Sequence, residues 1–128
     1  MNKTILLIED NLEYIQMLES ILSGHGYQVT KANNGEDGLE IIKENNKSID
    51  IIITDFHMPG INGLELAKEV FAKKMTKAPI IILTTETSVE MRKDGMKAGV
   101  HTWIIKPIQK EKFLGTIDLI YERHSQSQ

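Results

Sequence analysis

The chain has 128 residues, 41% hydrophobic and 26% charged, with a net charge of -3 and no cysteine. That length suits one domain whose folding buries roughly two-thirds of the unfolded chain's surface, and the composition excludes disorder, collagen and coiled coil. The absence of cysteine removes disulfides, thiolate zinc sites and thiol nucleophiles, while the lack of a Lys/Arg run argues against direct nucleic-acid binding and a polybasic membrane anchor.

Taken in chain order, short apolar runs alternate with helical patterns. Thr4–Ile8 is almost wholly apolar, as a strand covered on both faces would be. Leu12, Ile15, Leu18 and Leu22 then recur at helical spacing as a core stripe, with Gly24 as the stop. Over Tyr27–Ala32, Tyr27, Val29 and Lys31 alternate with Gln28 and Thr30, the pattern of an edge strand. A less periodic helix is expected from Gly35 to Asn45, and Ile49–Thr54 forms the third strand.

Asn62 and Glu65 have the spacing of a capping box before a stripe of Leu64, Ala67, Val70 and Phe71. Pro79–Thr84 is the fourth strand. The weakest helix runs from Ser88 to Ala98, capped at Thr87 with Glu90, anchored by Val89 and Met96 and stopped by Gly99. Val100–Ile105 is the fifth strand. Pro107 suits the first turn of a last helix whose stripe is Phe113, Ile117, Ile120 and Tyr121, and Ser125–Gln128 reads as a loose tail after a domain over residues 1–124. Strands alternating with helices imply crossover connections and a mainly parallel sheet. The longest apolar runs, Ile5–Ile8 and Ile80–Leu83, are too short for a membrane span or a signal peptide, so the chain is read as cytoplasmic with no membrane insertion.

In an open parallel sheet, ligands bind beyond the carboxyl ends of the strands. Those ends carry Glu9-Asp10, Asp55, Thr84-Thr85 and Lys106-Pro107. Glu9-Asp10-Asn11 also reads as a helix cap, and Thr84 or Lys106 alone as structural or solvated; their convergence is the signal. Carboxylates brought together repel, by about 4 kcal/mol for a pair ~4 Å apart at an effective dielectric near 20. An oxygen-only set calls for a hard divalent cation such as Mg²⁺, and Lys106 adds a second positive point for a phosphoryl group. Asp55, on the central strand, is the candidate nucleophile. No phosphate-binding loop or dinucleotide fingerprint is present, so nucleotide is not expected as the donor. His25, His101 and His124 read as solvated or capping residues, and Met58 and Pro59 as loop packing and turn.

Four segments, Ile5–Asn11, Ile52–Gly63, Ile81–Thr85 and Gly99–Pro107, resemble in order the receiver domain of two-component response regulators. The resemblance implies a flavodoxin-like (βα)5 three-layer sandwich with five parallel strands in the order 2-1-3-4-5. It also implies that Asp55 accepts a phosphoryl group from a histidine kinase. Asp10, Asp55 and the backbone carbonyl of His57 would ligate Mg²⁺ (or Mn²⁺), with Glu9 acting through water and Lys106 pairing with the phosphoryl oxygens. Thr84 takes the switch-hydroxyl position and Trp103 that of a ring that turns inward, although a static aromatic is the other reading of Trp103. His57 and Glu86 fall where acyl-phosphate hydrolysis is tuned, Thr85 stands where a smaller residue is common, and Lys106–Pro107 resembles the family's cis peptide.

The expected role is a regulatory phosphoacceptor rather than an enzyme with a separate substrate. Its partners would be a sensor histidine kinase or phosphotransfer protein, and an effector on the face of the fourth helix, fifth strand and fifth helix. Phosphorylation-dependent homodimerisation stays open. The alternatives are a phosphorelay intermediate, an unphosphorylated receiver-like binding module, and a metal-dependent phosphatase with an aspartyl nucleophile. The last usually has a second acid two residues after the nucleophile, where His57 stands.

Overall fold

The structure is a computed structural model that describes residues 3–126. Five strands, β1 (Thr4–Ile8), β2 (Gln28–Ala32), β3 (Ile51–Asp55), β4 (Ile80–Thr84) and β5 (Val100–Ile105), alternate with α1 (Leu12–Gly24), α2 (Gly35–Asn45), α3 (Gly63–Ala72), α4 (Val89–Lys97) and α5 (Lys110–Gln126). All strand pairs are parallel and the order is β2-β1-β3-β4-β5, the expected flavodoxin-like arrangement.

The period of two along each strand divides the core. Ile5, Leu7, Ile51, Ile53, Ile81 and Leu83 pack with α1 and α5, while Leu6, Ile8, Ile52, Ile80 and Ile82 pack with α2 and α3. The central strands β3 and β4 are buried at every position, whereas β2 and β5 are the partly exposed edges. Among the described residues, no helix is long and apolar enough to cross a membrane.

The local signals need several corrections. Four residues expected as core or anchors are exposed: Leu12 at 66%, Phe71 at 60%, Val89 at 59% and Met96 at 77%. Each lies in the first or last turn of its helix. α4 is held instead by Gly95, its one buried residue, which lies against the Trp103 indole. Its cap is Ser88 rather than Thr87, with Ser88 Oγ accepting from the Met91 amide at 3.1 Å. Gly24 ends α1 inside the helix; His25 is the cap and Gly26 takes the left-handed turn at φ +98°. Pro107 follows a cis bond from Lys106 and sits in a loop before α5 begins at Lys110. α5 continues through Ser125 and Gln126, part of the stretch expected to be loose, while 127 and 128 lie outside the described residues. The capping box at Asn62 and Glu65 is present in both directions.

Candidate functional site

Crossover connections set every strand's carboxyl end at one edge of the sheet, so three strand ends deliver side chains to one cleft of about 630 Å³. Glu9 and Asp10 follow β1, Asp55 ends β3 and Lys106 follows β5. One carboxylate oxygen from each of Glu9, Asp10 and Asp55 lies within 4.8 Å of the other two. Glu9 and Asp55 are buried, and Asp10 is exposed.

The Lys106 ammonium donates to Asp55 Oδ1 at 2.6 Å and to Glu9 Oε1 at 3.4 Å. Burial pulls Lys106 down, but the hydrogen bond and charge of Asp55, with the charge of Glu9, outweigh it and hold the group above the ordinary lysine value. Burial pushes the Glu9 carboxyl up; the Asn11 backbone N–H opposes this, the Asp55 charge adds to it and Lys106 opposes it. With one ammonium to three carboxylates among the described residues, the ionised cluster keeps a charge near -2. That deficit, made of oxygens alone at this spacing, fits a hard divalent cation.

Two close backbone approaches shape the site. A Cβ on Gly63 would come within 2.6 Å of the Asp55 carbonyl oxygen, so α3 starts directly beneath the end of β3. The Gly63 amide donates to the Phe56 carbonyl at 2.9 Å, closing that loop, and Gly60 supplies its left-handed residue at φ +80°.

The other expected residues lie around this centre. Thr84 is buried, and its hydroxyl donates to the Glu86 backbone carbonyl at 2.8 Å. The Glu86 and His57 side chains are exposed, with the His57 ring edge-on to Phe56 at 4.7 Å. Trp103 is half-buried beneath α4, 6.1 Å from Phe56. Met58 is buried in the core, consistent with loop packing, and Thr85 is exposed.

Tyr14 is a neighbour that the sequence reading missed. Its ring lies 4.4 Å from the Lys106 ammonium, and the available signal was its place three residues after the Asn11 cap, in the turn next to the acids. His25 does more than cap, since its Nε2 lies 2.7 Å from Asp118 Oδ2. His101 is pulled down by burial and then by the nearby His124.

A family model of the response regulator receiver domain matches residues 5–118. Protein PilH of Pseudomonas aeruginosa is 32% identical over 117 residues, covering 91% of this chain and 95% of that protein. Transcriptional regulatory protein ZraR of Klebsiella oxytoca is 32% identical over 125 residues, 96% of this chain but 28% of that protein. Among solved structures, Vibrio cholerae chemotaxis protein CheY4 aligns with a TM-score of 0.86 at 32% identity, covering 94% of this chain and 99% of that one. A response regulator receiver domain protein from Clostridium thermocellum aligns at 0.89 with 30% identity, covering 98% and 99%.

Proposed function

Because the chain belongs to the response regulator receiver family, we propose that Asp55 accepts a phosphoryl group from the phosphohistidine of a sensor histidine kinase or phosphotransfer protein. The observation that carries this reading is the Lys106 ammonium at 2.6 Å from an Asp55 carboxylate that shares an acidic cluster with Glu9 and Asp10. An Asp55 oxygen attacks phosphorus and the phosphorus–nitrogen bond breaks. Its electron pair returns to the imidazole, which takes up a proton, and an acyl phosphate remains on the chain. Lys106 follows the phosphoryl oxygens as charge passes from the carboxylate to them.

Asp10, Asp55 and the His57 backbone carbonyl would hold Mg²⁺ (or Mn²⁺), with Glu9 acting through water. When bound, the ion supplies neutralisation of the phosphoryl charge. Thr84 exchanges its bond to the Glu86 carbonyl for one to a phosphoryl oxygen, which frees the loop before α4. Trp103, wedged between that helix and Phe56, carries the change to the face of α4, β5 and α5. Exposed Val89, Met96 and Ile105 give that face apolar area for an effector.

The test is intact-mass spectrometry after incubation with acetyl phosphate, with and without Mg²⁺, beside Asp55→Asn. One phosphoryl adduct that needs Mg²⁺ and is absent from the variant is expected. Equal labelling of Asp55→Asn overturns the nucleophile assignment. No label from acetyl phosphate or from a histidine kinase leaves a binding module that works unphosphorylated.

A further inference from the structure

Tyr14 belongs to none of the motifs that carry the receiver resemblance, yet it stands against the proposed phosphorylation site. The Asn11 side chain accepts from the Tyr14 amide at 2.9 Å, and the Asn11 amide donates to Glu9 Oε2 at 3.1 Å. The loop that presents the acids therefore also fixes residue 14 in the first turn of α1. From there the phenol ring reaches 4.4 Å from Lys106 Nζ.

An ammonium has three N–H donors. Asp55 and Glu9 take two of them, and the face of Tyr14 is the other close neighbour of the charge. The Lys106 side chain is only 18% exposed, so water screens this cation–π contact weakly. The Tyr14 hydroxyl is buried with no hydrogen-bond partner among the described residues. A buried hydroxyl that pairs with nothing is a cost to the fold, so the ring rather than the hydroxyl accounts for the placement.

We propose that Tyr14 is the positioning residue for Lys106: its ring face holds the ammonium at the acid cluster without a directed bond. The proposal deepens the reading of Asp55 as phosphoacceptor and rests on it. A carboxylate or carbonyl at this position would compete for the lysine's hydrogens at the moment of transfer. A ring face is broad and has no lone pair to break from, so the Lys106 ammonium can pass its hydrogen bond from the Asp55 carboxylate to an incoming phosphoryl oxygen while staying against the ring.

Three variants separate ring, hydroxyl and bulk. Tyr14→Phe keeps the rate of labelling by acetyl phosphate within about twofold, while Tyr14→Leu lowers the maximal rate about 5- to 20-fold with the half-saturating donor concentration little changed. Phenylalanines of increasing fluorination at position 14 slow labelling stepwise, because fluorine withdraws charge from the ring face. Equal rates for Tyr14→Leu and Tyr14→Phe, or a flat fluorine series, overturn the proposal. A merely structural residue would not follow the fluorine count.

A second measurement needs no phosphorylation. The Lys106 Cε protons should show an upfield ring-current shift in the wild type and Tyr14→Phe that disappears in folded Tyr14→Leu; a shift that survives in Tyr14→Leu overturns the placement. If the wild type shows this shift but takes no label, the phosphoacceptor reading falls and the positioning of Lys106 by Tyr14 stands.

Discussion

Glu9, Asp10 and Asp55 share a single ammonium at the carboxyl edge of the sheet, and their mutual repulsion is a standing cost that the core must offset. Asp10 is the exposed member, so removing its charge relieves repulsion without leaving a buried group unpaired. Asp10→Asn is expected to raise stability by about 1 kcal/mol in low-salt buffer with chelator, after discounting for solvent screening. Under the proposed metal role, Mg²⁺ is expected to raise the melting temperature of the wild type but not that of Asp10→Asn. Urea unfolding and thermal melts with and without Mg²⁺ check both, and a less stable variant sinks the repulsion argument. Asp55 was legible as a candidate because an acid ending a buried apolar strand faces desolvation with no basic neighbour in sequence. Tyr14 was not, because its partner Lys106 comes from the far end of the chain and a tyrosine between Leu12 and Ile15 carries no local sign of a cation.

Among the elements, α4 was the least determined by its own pattern, and the structure explains why. Its contact with the sheet is made by Gly95, and a Cβ there would meet the Trp103 ring at 2.7 Å. Gly95→Ala gains about 1 kcal/mol of helix propensity but forces a rigid indole to shift, at a cost of about 1–3 kcal/mol. The net expectation is a loss of about 1 kcal/mol with a changed Trp103 emission spectrum. An unchanged spectrum with higher stability would mean that α4 rides freely over the indole. Val89 and Met96 were misread because hydrophobicity at helical spacing marks a stripe but not how far the helix extends over the sheet. Met96→Gln should therefore change stability by less than about 0.5 kcal/mol in denaturant titrations. The caps at Asn11, Asn34 and Asn62 show the reverse case, where a local side-chain-to-amide bond makes the boundary readable from a few residues.

Across the whole molecule, β3 and β4 provide the rigid centre, and Ile53→Ala in that fully buried centre is expected to lose about 2–5 kcal/mol. A second tie closes the sheet at its other end. Tyr27 donates to Asp118 Oδ1 at 2.5 Å while His25 meets Oδ2 at 2.7 Å, clasping α5 to the end of α1 and the start of β2. Burial pushes Asp118 up, but the hydrogen bonds from Tyr27 and His25, with the charges of His25 and Lys3, outweigh it and hold the carboxyl below its usual value. A depressed acid binds fewer protons when folded than when unfolded. Its contribution is therefore present above the unfolded value of about 3.9 and lost as pH falls through the folded one. Urea midpoints from about pH 6 down to about pH 2.5 should show the wild type's advantage over Asp118→Asn shrinking toward the acid end. A constant gap would mean that the clasp does not depend on the carboxylate's charge.

By itself, the sequence determined the alternation of strands and helices, the burial of the central strands and which side chains stand at their carboxyl ends. Those follow from the short-range periodicity of apolar residues and from where each run stops. Only the tertiary structure decided which helix positions are covered, that Gly95 rather than Val89 or Met96 seats α4, and that Tyr14 meets Lys106 while Asp118 meets His25 and Tyr27. The Tyr14 and Asp118 contacts join residues distant in the chain, and no local pattern encodes a distance that exists only after the sheet has brought its strands together.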